Sequence, residues 1–300
     1  MMPLLASVVL LFPYTDNLPT SLYGELAIYI SFTLLLQIFF NYGLDNYVGI
    51  HHFDFKNDPG KMKEFIGTIV TYLFIIGGVI ILLFVVAGNV FFQFALDQKF
   101  SFYPYGFMSV ITAFCNSFFR TYVNFLFYKD KAKKYFLLNF FNFSITIIIC
   151  WVGLEMYPET LVGPMWGRLL SGFAIFLVAF ILYLREYGLA WKPELLQGLQ
   201  KFCLPVVLFF LLNWVALYIN NFIINAFSTT SDVGIYDFAL KCTLLIEFVQ
   251  TGILGTINPR IYTLWKTRNA LESSVEENRY HHVFSMFTVL FVACNVVLLP

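Results

Sequence analysis

Among the charged side chains inside long apolar runs of this sequence, where ionised groups are costly, five stand out. Arg120 lies in "SFFRTYVNFLFY", Arg168 in "GPMWGRLLSG", Asp237 and Lys241 in "SDVGIYDFALKC", and Glu247 just beyond. A charge at the centre of a membrane helix costs about 2.5–3.5 kcal/mol on insertion scales, so such residues face a cavity, pair with each other or serve function. Asp237 and Lys241 are spaced i, i+4 and share one helical face. A cation in such a place suits an anionic ligand. An isolated deep carboxylate such as Glu247 is either protonated or paired, which makes it the candidate for H+ or Na+ coupling. The charges also have other readings: Arg120 can snorkel to the nearer surface or pair internally, Arg168 can reach headgroups, and Asp237 with Lys241 can simply neutralise each other.

The elements that must position these groups follow from composition. Of 300 residues 59% are hydrophobic and 12% charged, against about 25% charged in a soluble domain, and the mean hydropathy is +0.75. This is the composition of an integral membrane protein. A hydrocarbon core of about 30 Å needs about 20 apolar residues at 1.5 Å each. Seven runs meet that length: Tyr23–Ile50, Phe65–Phe84, Phe107–Tyr128, Phe136–Leu154, Trp166–Leu184, Phe202–Ile224 and Val233–Asn258. Two shorter runs, Met1–Phe12 and Val283–Leu299, sit at the ends and read as parts of further helices, so the chain is expected to be a fragment of a longer protein that does not function alone.

Fourteen of the 18 Lys and Arg residues fall in alternate loops, at 51–64, 129–135, 185–201 and 260–281; Lys99 alone occupies the loops between. The positive-inside rule makes the basic loops cytoplasmic. The formal net charge is zero and no basic tail is present, so nothing points to nucleic acid. The five cysteines lie inside apolar runs without metal-ligand spacing and read as small hydrophobes; no cofactor is expected. His51 and His52 read as solvated loop residues, and paired glycines such as Gly163 with Gly167 as sites of close helix packing.

A weak internal repeat organises the chain. At an offset of 210 residues Gly24 falls on Gly234, and "TLLLQI" (Thr33–Ile38) falls on "TLLIEF" (Thr243–Phe248). The matched helices are six spans apart and run in the same direction, as parallel six-helix halves require. The expected architecture is therefore all-α and polytopic, with about nine helices present of twelve to fourteen. Residues 1–200 form a first lobe and 201–300 open a second. Ligand chemistry is expected between the lobes, where the seventh span offers Asn213, Asn220 or Asn221, and Asn225 after Pro205, and the eighth offers Asp237, Lys241 and Glu247.

The segment "YGELAIYISFTLLLQIFFNYGLDNYVGI" resembles the second helix of bacterial polysaccharide flippases, the Wzx-like branch of the multidrug, oligosaccharidyl-lipid and polysaccharide exporter superfamily. "GLQKFCLPVVLFFLLNWVALYINNFIINAFSTTSDVGIYDFALK", followed by "INPRIY", is similar to the seventh and eighth. The sequence departs at "INNF", where many relatives carry an acidic and a basic residue. The resemblance implies translocation of an undecaprenyl-pyrophosphate-linked oligosaccharide across the bacterial inner membrane. Lys241, Arg168 and Arg120, with Asn213 and Asn221, would meet the headgroup, Asp237 would hold Lys241, and the prenyl tail would stay among the membrane lipids. Two rivals remain open at this point: an ion-coupled drug or metabolite antiporter of the same superfamily, and a membrane polymerase or glycosyltransferase. The short outer loops, Val85–Tyr105 and Glu155–Pro164 being the longest, carry no dense catalytic constellation and favour a non-enzyme.

Overall fold

The computed structural model describes residues 2–55, 58–95, 100–129 and 131–243, with isolated positions between 278 and 289. Among the described residues nine α-helices follow one another up to residue 227: α1 (Met2–Val9), α2 (Leu11–Asn17), α3 (Thr20–Asn41), α4 (Leu44–Phe55), α5 (Pro59–Ala95), α6 (Phe107–Tyr128), α7 (Ala132–Met156), α8 (Val162–Glu186) and α9 (Leu199–Phe227). A further helix, here α10, covers 230–243. Among the described residues there is no strand. Helices α3, α5, α7, α8 and α9 are long and apolar enough to cross a membrane. The protein is an all-α, multi-pass membrane protein.

Helix α6 has the length of a span, 22 residues, but carries Ser109, Thr112, Asn116, Ser117, Arg120, Thr121 and Asn124. Those residues explain its lower hydropathy, and its position explains why they are tolerated: α6 packs against α3, α4, α5, α7 and α8. A backbone so enclosed meets protein rather than lipid, and its polar side chains find partners there. Ser109 and Ser117 both reach carbonyls of α3, those of Tyr29 and Gln37. Helices α7 and α9 instead turn Phe136, Phe140, Ile148, Leu204, Leu208 and Leu212 outward, as a lipid-facing surface does.

Small residues set the closest crossings. A Cβ on Gly153 would stand 2.6 Å from the Gly163 carbonyl oxygen, and one on Gly163 2.3 Å from that of Gly153. Gly167 meets the Cys150 backbone just as closely, so the glycines of α7 and α8 let the two backbones touch. Three of the basic loops converge at one end. Lys129, Lys131 and Lys134 surround Glu186, and Lys192 pairs with Glu64 at 2.6 Å.

Three sequence expectations are corrected. The run Tyr23–Ile50 is two helices, not one: Tyr42 closes α3 in the left-handed region (φ 49°), donating its N–H to the Ile38 carbonyl, and Gly43 follows at φ 71°. The glycine makes the second left-handed step at no steric cost. Residues 85–95 are not a loop but the end of α5, which runs 37 residues. No proline interrupts this stretch, and its Phe91 and Phe92 pack on Phe32. His52 is buried on α4 rather than solvated, while His51 pairs with Asp54.

Candidate functional site

A cavity of about 570 Å³ lies between α1, α3, α6, α7, α8, α9 and α10. Helix α6 contributes Thr112, Asn116, Phe119, Arg120, Val123 and Asn124. Steps of four between Thr112, Asn116, Arg120 and Asn124 keep all four on one face, and the set spans about 18 Å along the helix axis. Helix α7 adds Tyr135, Asn139, Asn142 and Thr146 by the same logic, and α8 adds Arg168 and Ser171. Gln37 enters from α3 and Tyr218 from α9. The wall is thus amide- and hydroxyl-rich along its whole length.

All three cations that the sequence places within spans, Arg120, Arg168 and Lys241, line this one cavity, and among the described residues Asp237 is the single carboxylate in its lining. Lys241 Nζ lies 2.5 Å from Asp237 Oδ2. The Tyr23 hydroxyl donates to the same oxygen at 2.7 Å and accepts from Lys241 at 2.9 Å. The triad is closed, and the lysine and aspartate side chains are 7% and 4% exposed. Because Tyr23 belongs to α3 and the pair to α10, the triad ties residues of the two expected lobes together.

Helix α10 is aimed by its first turn. The Thr229 N–H donates to Asp232 Oδ2, and the Asp232 N–H donates back to Thr229 Oγ1. This is a reciprocal capping box with aspartate in place of glutamate. The Ser228 and Thr229 hydroxyls also donate to that carboxylate and hold it below its ordinary aspartate range. Two turns of α10 then carry Asp237 and Lys241 to the cavity.

Arg120 is held from behind. Its Nε donates to Asp45 Oδ2 at 3.2 Å, and Asn124 Nδ2 donates to the same oxygen at 3.0 Å. The Asp45 side chain is 4% exposed while that of Arg120 is 51% exposed. On another side the guanidinium carbon stands 5.5 Å from the Phe210 ring centre of α9. With Nε engaged, the arginine keeps the rest of its donor fork for another acceptor. Arg168 differs: among the described residues no carboxylate lies within 4.0 Å of it, which leaves it the least neutralised cation in the wall.

The asparagines divide. Asn221 is buried, but its amide donates to Ser31 Oγ of α3 at 2.9 Å and does not line the cavity. Beside it the Trp214 Nε1 donates to the Ser31 carbonyl, so this cluster joins α9 to α3. Asn213 is exposed and bonds only the Phe209 carbonyl of its own helix. Asn220 donates to the Tyr236 hydroxyl. Glu247 lies outside the described residues. Sequence reasoning missed Tyr23, Asp45, Gln37, Asn116, Asn124, Asn139 and Asn142; the four-residue spacing of Thr112, Asn116, Arg120 and Asn124 was the available signal. Among the described residues no group of three or more His, Cys, Asp or Glu gathers as a metal site.

The crossing beside the triad repeats the 210-residue offset. A Cβ on Gly24 would stand 1.8 Å from the Thr230 carbonyl oxygen, and one on Gly234 2.5 Å from that of Thr20. Thr20 and Ser21 fall on Thr230 and Ser231 at the same offset, extending the match read from sequence.

No curated protein and no solved structure matches the chain. The model of one protein family does match, over residues 18–292, and its description is "Polysaccharide biosynthesis protein". The match covers every cavity-lining helix except α1, together with the glycine crossing, and the chain belongs to the polysaccharide biosynthesis protein family.

Proposed function

We propose that the protein moves an anionic, lipid-linked oligosaccharide across the bacterial cytoplasmic membrane for surface polysaccharide assembly. The observation that carries this reading is the meeting of Arg120, Arg168 and Lys241 in one cavity rich in amides, with a single lining carboxylate among the described residues. Phosphate oxygens suit the guanidinium donors, and sugar hydroxyls suit the Asn, Gln, Thr and Tyr groups of the same wall, with apolar neighbours such as Leu34 and Phe119 between them. The hydrocarbon part of such a substrate has no place in a wet cavity and stays on an apolar surface. Arg168 is the principal anion anchor, Arg120 the second, and Lys241, engaged by Asp237 and Tyr23, contributes chiefly to the closed end. Two lobes rocking about the α3–α10 crossing would open the cavity to each side in turn. Coupling to H+ or Na+ is part of the proposal and is assigned to Glu247.

The test is a strain whose gene carries Arg168→Gln. Losing a charge-assisted contact of about 1.5–3 kcal/mol lowers flipping roughly ten- to a hundredfold, so surface polysaccharide falls and the lipid-linked precursor accumulates on the cytoplasmic leaflet. Unchanged export would refute the assignment. Loss of small-molecule efflux with normal polysaccharide would indicate the antiporter, and normal flipping with unpolymerised product would indicate a polymerase.

A further inference from the structure

On the far side of Arg120 from the cavity lies a second, apolar depression of about 460 Å³. It is lined by Asn46, Gly49 and Ile50 of α4, Tyr128 at the end of α6, and Phe202, Pro205, Val206, Phe209 and Phe210 of α9. Phe210 joins the two spaces. Its ring belongs to this groove and also stands 5.5 Å from the Arg120 guanidinium, which itself lines the cavity. Asn46, another lining residue, directly follows Asp45, the partner that grips Arg120. A single cation therefore stands where a polar cavity and an apolar groove meet. That is the arrangement required by an amphiphile with an anionic group at the junction of its two parts.

We infer that the α4–α9 groove seats the first isoprenoid units of the substrate's hydrocarbon tail while Arg120 holds the adjoining phosphate and the saccharide extends into the cavity. The inference rests on the reading of the cavity as an anionic headgroup site. The groove has the right chemistry: apart from Asn46 and the Tyr128 hydroxyl its lining is hydrocarbon and aromatic. Its outer rim is accessible, with Ile50 56% and Phe209 61% exposed. At Gly49 a Cβ would stand 2.5 Å from the Tyr128 ring and hydroxyl, so any larger residue there would push the tyrosine aside and reshape the space between α4 and the end of α6. The break at Tyr42 and Gly43 serves the same end, since it separates α4 from α3 and lets α4 run against α9.

The experiment uses the purified chain in nanodiscs and a farnesyl diphosphate carrying a benzophenone on its last isoprene unit. On irradiation, label is expected in peptides from 44–55 and 199–227, and excess inorganic diphosphate is expected to remove it. Phe209→Trp, or Ile50→Trp should the first variant express poorly, fills the groove and lowers that labelling about tenfold, the effect of losing the burial of roughly two methylene groups. Label confined to α1, α7 and α8 but displaced by diphosphate would overturn the groove and leave the cavity reading intact. Label on α4 and α9 that diphosphate does not displace, matched by a neutral benzophenone alkane, would overturn both, leaving a surface that merely contacts bilayer hydrocarbon.

Discussion

Gly24 and Gly234 lie against one another with each facing the other's preceding turn: Gly24 meets the Thr230 carbonyl, and Gly234 meets the Thr20 carbonyl. The 210-residue offset exchanges the two contacts, Gly24 with Gly234 and Thr20 with Thr230, so the pattern is that of a two-fold axis passing between α3 and α10. What differs across that axis is chemistry. Ala27 and Ser31 of α3 correspond to Asp237 and Lys241 of α10, and only the latter pair forms the buried triad with Tyr23. The crossing is symmetric in its glycines and would serve the proposed rocking as a pivot, while the buried ion pair belongs to α10 alone.

Alanine at position 24 should disrupt this pivot. Its Cβ would overlap a backbone oxygen, which cannot rotate away, so α3 and α10 must separate, at a cost of about 1–3 kcal/mol. Gly78 is the control, since a Cβ there meets nothing within 4 Å. Gly78→Ala should be neutral or stabilising by up to about 1 kcal/mol. Thermal unfolding in one detergent distinguishes them; equal midpoints for the two variants would refute the close crossing.

Removing one member of the triad should cost more than removing its two charges together. Asp237→Asn leaves Lys241 buried and unpaired, and Lys241→Met leaves Asp237 so, at about 3–5 kcal/mol each. The double variant should recover a large share of that loss. Tyr23→Phe removes two hydrogen bonds without stranding a formal charge by itself and should cost less than either. A double-mutant cycle on thermal unfolding reads the coupling directly, and strict additivity would mean that the pair does not interact.

Much of this was legible in the sequence because lipid imposes simple rules. Apolar length located the spans α3 and α5 to α9, and the alternation of lysines named the end where Lys131, Lys134 and Lys192 meet their carboxylates. The three intramembrane cations were identified by cost alone, and they share the cavity. Partners were harder. Nothing local to Asp45 or Tyr23 indicates that one will hold Arg120 and the other Lys241, because those contacts span 75 and 218 residues. The division of α3 from α4 was also hidden, since an apolar run does not reveal that Tyr42 will turn left-handed before Gly43. Asn213 and Asn221 show the converse: their spacing marked a polar stripe on α9, yet packing against Ser31 absorbs one and leaves the other exposed.

Asp45 should set the affinity of Arg120 for anions. Its carboxylate takes up part of the arginine's charge, so Asp45→Ala should tighten inorganic diphosphate binding and steepen its salt dependence. It should also loosen α4 from α6, at about 1.5–3 kcal/mol for the lost charge-assisted bonds. Asp45→Asn, which keeps an acceptor at the same place, should restore much of the stability but not the original affinity. Titration of diphosphate at two ionic strengths, beside thermal unfolding, separates the two effects. Affinity that falls in step with stability would mean that Asp45 matters only as packing.

The capping box of α10 gives a pH signature that a loosely held surface carboxylate lacks. Donors from Ser228 and Thr229 lower the Asp232 pKa from its ordinary value, so this group binds its proton less readily in the folded chain than in the unfolded one. By linkage its contribution is complete above the ordinary aspartate pKa and is lost as pH falls through the depressed folded value. Asp232→Ala should therefore lower the unfolding midpoint at neutral pH, and the difference from the parent should shrink on acidification into and below the usual aspartate range. Asp232→Asn, still an acceptor but unable to titrate, should show a smaller deficit that varies less with pH. Were the alanine deficit constant from neutral pH down to the acid limit, the carboxylate's charge would have no part in starting the helix that presents Asp237 and Lys241.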